Sequence, residues 1–107
     1  MKLIDNYKEQ LAEVCEQYCV DELFLFGSAL TPDFTPSSDM DFLVKFGGVS
    51  LMDYYDNYYD FRSSLEQLFD RKVDLVEIQT LKNPILKRSI DQSKTLIYER
   101  KDTQIPV

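Results

Sequence analysis

The chain reads as an α/β layered domain, a small mixed β-sheet of about four strands with helices packed on it. Three observations carry this reading. Short runs rich in aromatic and branched apolar residues, "ELFLF", "MDFLVKF", "KVDLVEI" and "TLIYE", have the make-up of strands, and glycine closes the first two. Between them lie stretches whose apolar residues recur every three or four positions, as on one face of a helix. The two kinds follow one another as helix, strand, strand, helix, strand, helix, strand, an order that a sheet layered with helices satisfies. With 107 residues, 44% of them hydrophobic and 13% aromatic, the chain can bury one modest core, and residues 1–107 are read as a single domain.

From Asp5 to about Tyr18, Tyr7, Leu11, Val14, Cys15 and Tyr18 form an amphipathic stripe, the first helix. Glu22 to Phe26 is a buried strand that Gly27 ends in a turn, and Thr31 to Ser38 is a loop fixed by Pro32 and Pro36. Met40 to Phe46 is the second strand, stopped by Gly47 and Gly48. Ser50 followed three residues later by Asp53 resembles a capping box, and Leu51, Tyr55, Tyr58, Arg62, Leu65 and Phe69 continue the longest helix. Lys72 to Ile78 is a third strand; Asn83 before Pro84 caps a short helix running to about Ser93. Thr95 to Glu99 closes as a fourth strand, and the tail from Arg100 reads as frayed.

The composition excludes several function classes. A formal charge of −7 repels a nucleic-acid backbone, and the basic residues Lys82, Lys87, Arg88 and Lys94 make only a loose group, so no direct nucleic-acid binding is expected. No run is long enough for a membrane span and the N-terminus lacks a signal-peptide pattern, so a cytoplasmic protein is expected. Without histidine, the commonest general base is missing, and Cys15 and Cys19 cannot close a four-ligand zinc site by themselves. Both cysteines fit a helix's core face instead.

The chemistry lies in "FGSALTPDFTPSSDMDFLV". Asp39 and Asp41, spaced i and i+2 on a strand, share one face about 6 to 7 Å apart, where like charges repel unless something offsets them. Asp74 interrupts the third strand in the same way. Hard divalent cations take oxygen ligands, and two magnesium ions roughly 3.5 to 4 Å apart can clamp the attacking and leaving oxygens of an in-line displacement. Gly27 lets backbone N–H groups approach phosphate oxygens, and Ser28 can donate to them or cap the turn. Taken alone, each pair is common; a solvated strand edge would explain the aspartates equally well. Glu77, three residues beyond Asp74, should face the other way and reads as a solvated charge.

Gly27-Ser28, ten intervening residues, and Asp39-Met40-Asp41 resemble the signature of the polymerase-beta-like nucleotidyltransferase superfamily, and "RKVDLVEIQTLKNPILKRSI" resembles the downstream segment of its minimal members. The resemblance runs from the first helix to "LIYE". It implies a palm-like fold in which Gly27 and Ser28 hold ATP while Asp39, Asp41 and Asp74 bind two magnesium ions and carry catalysis. It further implies a HEPN-family toxin as partner in a hetero-oligomer, with this chain as the antitoxin that transfers AMP to a tyrosine of that ribonuclease. Two alternatives stand beside it: a nucleotidyltransferase-like module that inhibits by binding alone, and a small-molecule nucleotidyltransferase. Where the family pattern has arginines after the Gly-Ser, this chain reads "GSALTP" and has no Lys or Arg between Gly27 and Asp41. Lys45, Arg62, Lys72 or a partner chain are the candidate substitutes. Tyrosines at 54, 55, 58 and 59 form two i, i+4 rows on the long helix, one expected to pack inward and the other to face a partner or the chain's own loops.

Overall fold

A computed structural model describes residues 2–32, 34–35 and 37–100, the side chains of Lys2, Ser28 and Ala29 excepted. Its elements in chain order are α1 (Lys2–Asn6), α2 (Lys8–Gln17), β1 (Val20–Phe26), β2 (Met40–Phe46), α3 (Tyr54–Phe69), β3 (Val73–Glu77), α4 (Pro84–Ser93) and β4 (Thr95–Glu99). Short 3-10 turns cover Gly27–Leu30 and Ile78–Thr80. The sheet has the order β3-β2-β1-β4. β2 and β3 run parallel, and both other pairings are antiparallel, so the sheet is mixed as expected.

Parity explains which residues are inside. Met40, Phe42 and Val44 on β2, Leu23 and Leu25 on β1, and Val73 and Leu75 on β3 point to one face, where Leu11 and Cys15 of α2 and Phe61, Leu65 and Phe69 of α3 complete a single buried cluster. Phe42 stacks on Phe69 at 5.9 Å, and Phe61 meets the Phe46 ring edge-on at 5.7 Å. The opposite face carries Asp41 and the buried Leu43, which lies outside that cluster.

The first helix divides where a single one was expected. Tyr7 leaves the helical path, its N–H donating to Ile4 at 3.1 Å, and its ring meets Phe69 edge-on. Ser50 fulfils half of a capping box: its hydroxyl accepts from the Asp53 N–H at 3.3 Å and donates to the Asp53 carboxylate at 2.9 Å. The helix itself begins at Tyr54, with Asp53 as its N-cap, three residues beyond the start at Leu51 that such a box implies. Asn83 caps α4 as its sequence announces, accepting from the N–H groups of Ile85 and Leu86. At the other end of α3, Asp70 turns left-handed and Glu66 accepts from the Val73 N–H at 3.1 Å, tying the helix to the start of β3.

Cys15 is fully buried on α2, in keeping with the core reading, whereas Cys19 corrects it: it lies past the end of α2 with a left-handed φ of 60° and is only partly buried; both thiols are free. Glu77 corrects its sequence reading. It faces away from Asp74, yet it is buried, and its carboxylate accepts from the Gln79 N–H at 2.9 Å to cap the 3-10 turn that follows β3. Arg100, the first residue of the tail expected to fray, is instead held by its N–H donating to the Asp21 carbonyl at 2.8 Å, while the rest of that tail, from residue 101, and Pro36 lie outside the described residues.

Candidate active site

Parallel pairing of β2 with β3 sets Asp41 directly beside Asp74. Adjacent strands lie about 4.8 Å apart and paired residues share a face, so the two carboxylates project together from the side opposite the core. On its other flank Asp41 is paired with Phe26, the last residue of β1, and the next residue is Gly27. Gly27 has φ +76°, a left-handed conformation in which glycine is favoured, and a Cβ placed on it would overlap Asp41 Oδ2. The carboxylate thus occupies the space a side chain would take. Gly27, Asp41 and Asp74 are brought together by three neighbouring strands from positions far apart in the chain.

Asp39 lies just outside the ladder. It is exposed and precedes Met40, whose N–H donates to the Lys72 carbonyl at 3.1 Å. The loop delivering it is ordered by Arg71, which the sequence reading did not single out. The Arg71 guanidinium donates to the carbonyls of Thr35 (3.1 Å) and Ser38 (3.2 Å) and lies 4.6 Å from the centre of the Phe34 ring. Thr35 and Ser38 bond each other reciprocally, Ser38 N–H to Thr35 carbonyl and Thr35 N–H to Ser38 hydroxyl, both at 3.0 Å. No pattern marks Arg71 in advance; only the left-handed turn at Asp70 brings it under the loop. The Ser28 hydroxyl lies outside the described residues.

Among the described residues no group of three His, Cys, Asp or Glu side chains forms a ready cation cage. Magnesium needs no such cage, since it commonly takes one or two carboxylates and completes its shell with water and substrate phosphates. Paired oxygen donors at Asp41 and Asp74, with Asp39 close by in sequence, fit that mode of binding.

A second feature borders β3. Tyr54 stacks on Tyr58 and Tyr55 on Tyr59, and with Leu75, Val76, Glu77 and Thr80 they line a groove of about 440 Å³. Tyr54 and Tyr58 are half-buried, and the Tyr58 hydroxyl donates to the Leu75 carbonyl. Tyr55 and Tyr59 are exposed. Burial, reinforced by the charge of Glu77 and a hydrogen bond to it, pushes the Tyr54 phenol up to about 12.

The comparisons with known proteins agree with this architecture. Two proteins of Methanocaldococcus jannaschii, each provisionally named a protein adenylyltransferase, are 35% and 31% identical to this chain over 102 residues, covering 92% of it and 99% of each relative. A minimal nucleotidyltransferase structure, provisional in its description, superposes with a TM-score of 0.69 at 23% identity, over 88% of this chain and 92% of the other. The MNT antitoxin complexed with a tri-AMPylated HEPN toxin of Shewanella oneidensis gives a match with TM-score 0.62 at 14% identity, over 91% of this chain and 73% of that one. At these identities the structures speak for the fold alone. The family model for polymerase beta nucleotidyltransferases matches residues 9–103, and with the curated relatives it establishes that the chain belongs to that nucleotidyltransferase family.

Proposed function

We propose that this chain transfers AMP from ATP to a hydroxyl of a partner protein, a tyrosine of a HEPN-family toxin, and so acts as its antitoxin. The observation that carries the proposal is the placement of Asp41 against the Gly27 turn on one side and beside Asp74 on the other. ATP would lie with its phosphates against the turn, where backbone N–H groups face the ligand. Asp39, Asp41 and Asp74 would hold magnesium, which when bound supplies Lewis-acid stabilisation of charge on the phosphate oxygens. Asp74, the more exposed of the paired carboxylates, would take the proton of the acceptor hydroxyl. The acceptor oxygen bonds to the α-phosphorus, the bond from that phosphorus to the bridging oxygen breaks, and pyrophosphate leaves.

The partner would meet the tyrosine face. Leu51 and Met52 are 92% and 93% exposed and Tyr55 and Tyr59 are 71% and 53% exposed, which makes an apolar patch available for burial. Exposed Asp53, the N-cap of α3, and Asp56 and Asp60 on the helix surround it. That charge repels a second copy of this chain and suits a partner with basic residues around an apolar anchor.

A reading without catalysis has one observation in its favour, the lack of any Lys or Arg between Gly27 and Asp41 in the sequence. Incubating the chain with α-labelled ATP, magnesium and the purified HEPN protein separates the two. Label should pass to the partner and be lost in Asp41→Ala. Inhibition of the partner without transfer, unchanged in that variant, would make the protein a cover instead of an enzyme.

A further inference from the structure

We infer that Lys94 is the cation that binds the polyphosphate of the nucleotide on the Gly27 turn, an assignment that rests on the nucleotidyl-transfer reading above. A polyphosphate placed beside aspartates needs positive charge close by, and none comes from residues 28–40. The fold brings Lys94 there from the far end of the chain. β4 runs antiparallel to β1 with Thr95 opposite Leu25, so the residue before Thr95 stands at the end of the sheet where β1 passes into the turn. α4, which ends at Ser93, packs against that same turn.

The Lys94 side chain is directed to the site's face. Its ammonium lies 4.5 Å from the centre of the Phe24 ring. Phe24 shares a face with Phe26, and Phe26 is paired with Asp41, so Phe24 is the diagonal neighbour of Asp41 at about 7–8 Å. The ammonium is held by that ring and by Asp91 at 2.9 Å. The Asp91 pair is partly exposed and weak enough to yield to a more highly charged phosphate.

The substitutes that the sequence suggested, and Arg71, are less well placed. Lys45 is four residues along β2 from Asp41, about 13 Å away towards the opposite end of the sheet. Arg62 belongs to α3 on the other face, and Arg71 is engaged with the Thr35 and Ser38 carbonyls. Lys72 precedes β3, which lies two strand spacings, about 10 Å, from β1 and its Gly27 turn, with β2 between them.

Calorimetric titration with magnesium-ATP and with AMP tests the assignment on the full chain, using Lys94→Met, Lys94→Arg and, as a charge control from the opposite end of β1, where Arg100 pairs with Asp21, Arg100→Met. Methionine keeps an apolar stem over Phe24 and removes the charge. Lys94→Met should weaken ATP binding roughly tenfold, the scale of a charge-assisted contact, and change AMP binding by less than about twofold. Lys94→Arg should restore most of the ATP affinity, and Arg100→Met should leave it unchanged. Wild-type ATP affinity in Lys94→Met would overturn the assignment and leave the transfer reading standing. Equal loss of ATP and AMP, with a lowered melting temperature and no rescue by arginine, would reduce Lys94 to a structural contact. If the wild-type chain binds no ATP, both readings fall together.

Discussion

Gly27 is the position at which backbone conformation and site chemistry meet. Its left-handed φ and the Asp41 carboxylate that fills its Cβ space act against any side chain. Gly27→Ala should lower stability by roughly 1–2 kcal/mol through the left-handed backbone alone, and it must also push the Asp41 carboxylate aside. The expected outcome is a folded protein with a slightly lower melting temperature and no detectable AMP transfer; full activity would show that the carboxylate has room to move. Cys15 illustrates the opposite case at the same scale. Burial, with the neighbouring Glu16, pushes its thiol up, so it stays protonated and packs as a small hydrophobe.

Among the elements, the seam between α3 and the end of β3 carries a pH dependence. Tyr54 near the start of the helix faces Glu77 at the end of the strand, and Glu77 itself caps the 3-10 turn. The Tyr54 phenol rises from its ordinary 10 to about 12 in the folded state. The fold therefore retains a proton that the unfolded chain has released, so this contribution to stability is complete below pH 10 and declines as pH climbs to about 12. Denaturant melts across that window should show the decline, and Tyr54→Phe should flatten it. An unchanged slope in the variant would place the pH sensitivity elsewhere, for instance at Tyr58, which burial also shifts upward.

For the molecule as a whole, the two faces of the sheet divide the work. One is closed by α2 and α3 around the core, and the other presents Asp41 and Asp74. The tyrosine groove wraps the free edge of β3, the strand that carries Asp74, so a protein held there lies beside the carboxylates. Tyr55→Ala combined with Tyr59→Ala should weaken binding of the proposed HEPN partner about tenfold or more, the effect of removing aromatic anchors, and leave ATP affinity as it was. Undiminished partner affinity in the double variant would move the interface to another surface. Among the described residues no helix is long and apolar enough to cross a membrane.

The strands, the Asn83-Pro84 helix start and the inward tyrosine row were legible in the chain itself, because apolar period and cap chemistry are local properties. Gly27, Asp41 and Asp74 were recognisable for the same reason, as a turn residue and as charges inside apolar runs. What local patterning could not hold is the register. That Asp41 stands beside Asp74, that Arg71 orders the loop before Asp39, that Glu77 is buried, and that Lys94 reaches the Phe24 face all depend on strands pairing across long separations. Tertiary structure alone decided these points, since the position of a side chain relative to one distant in sequence is set by how the whole sheet assembles and not by its neighbours along the chain.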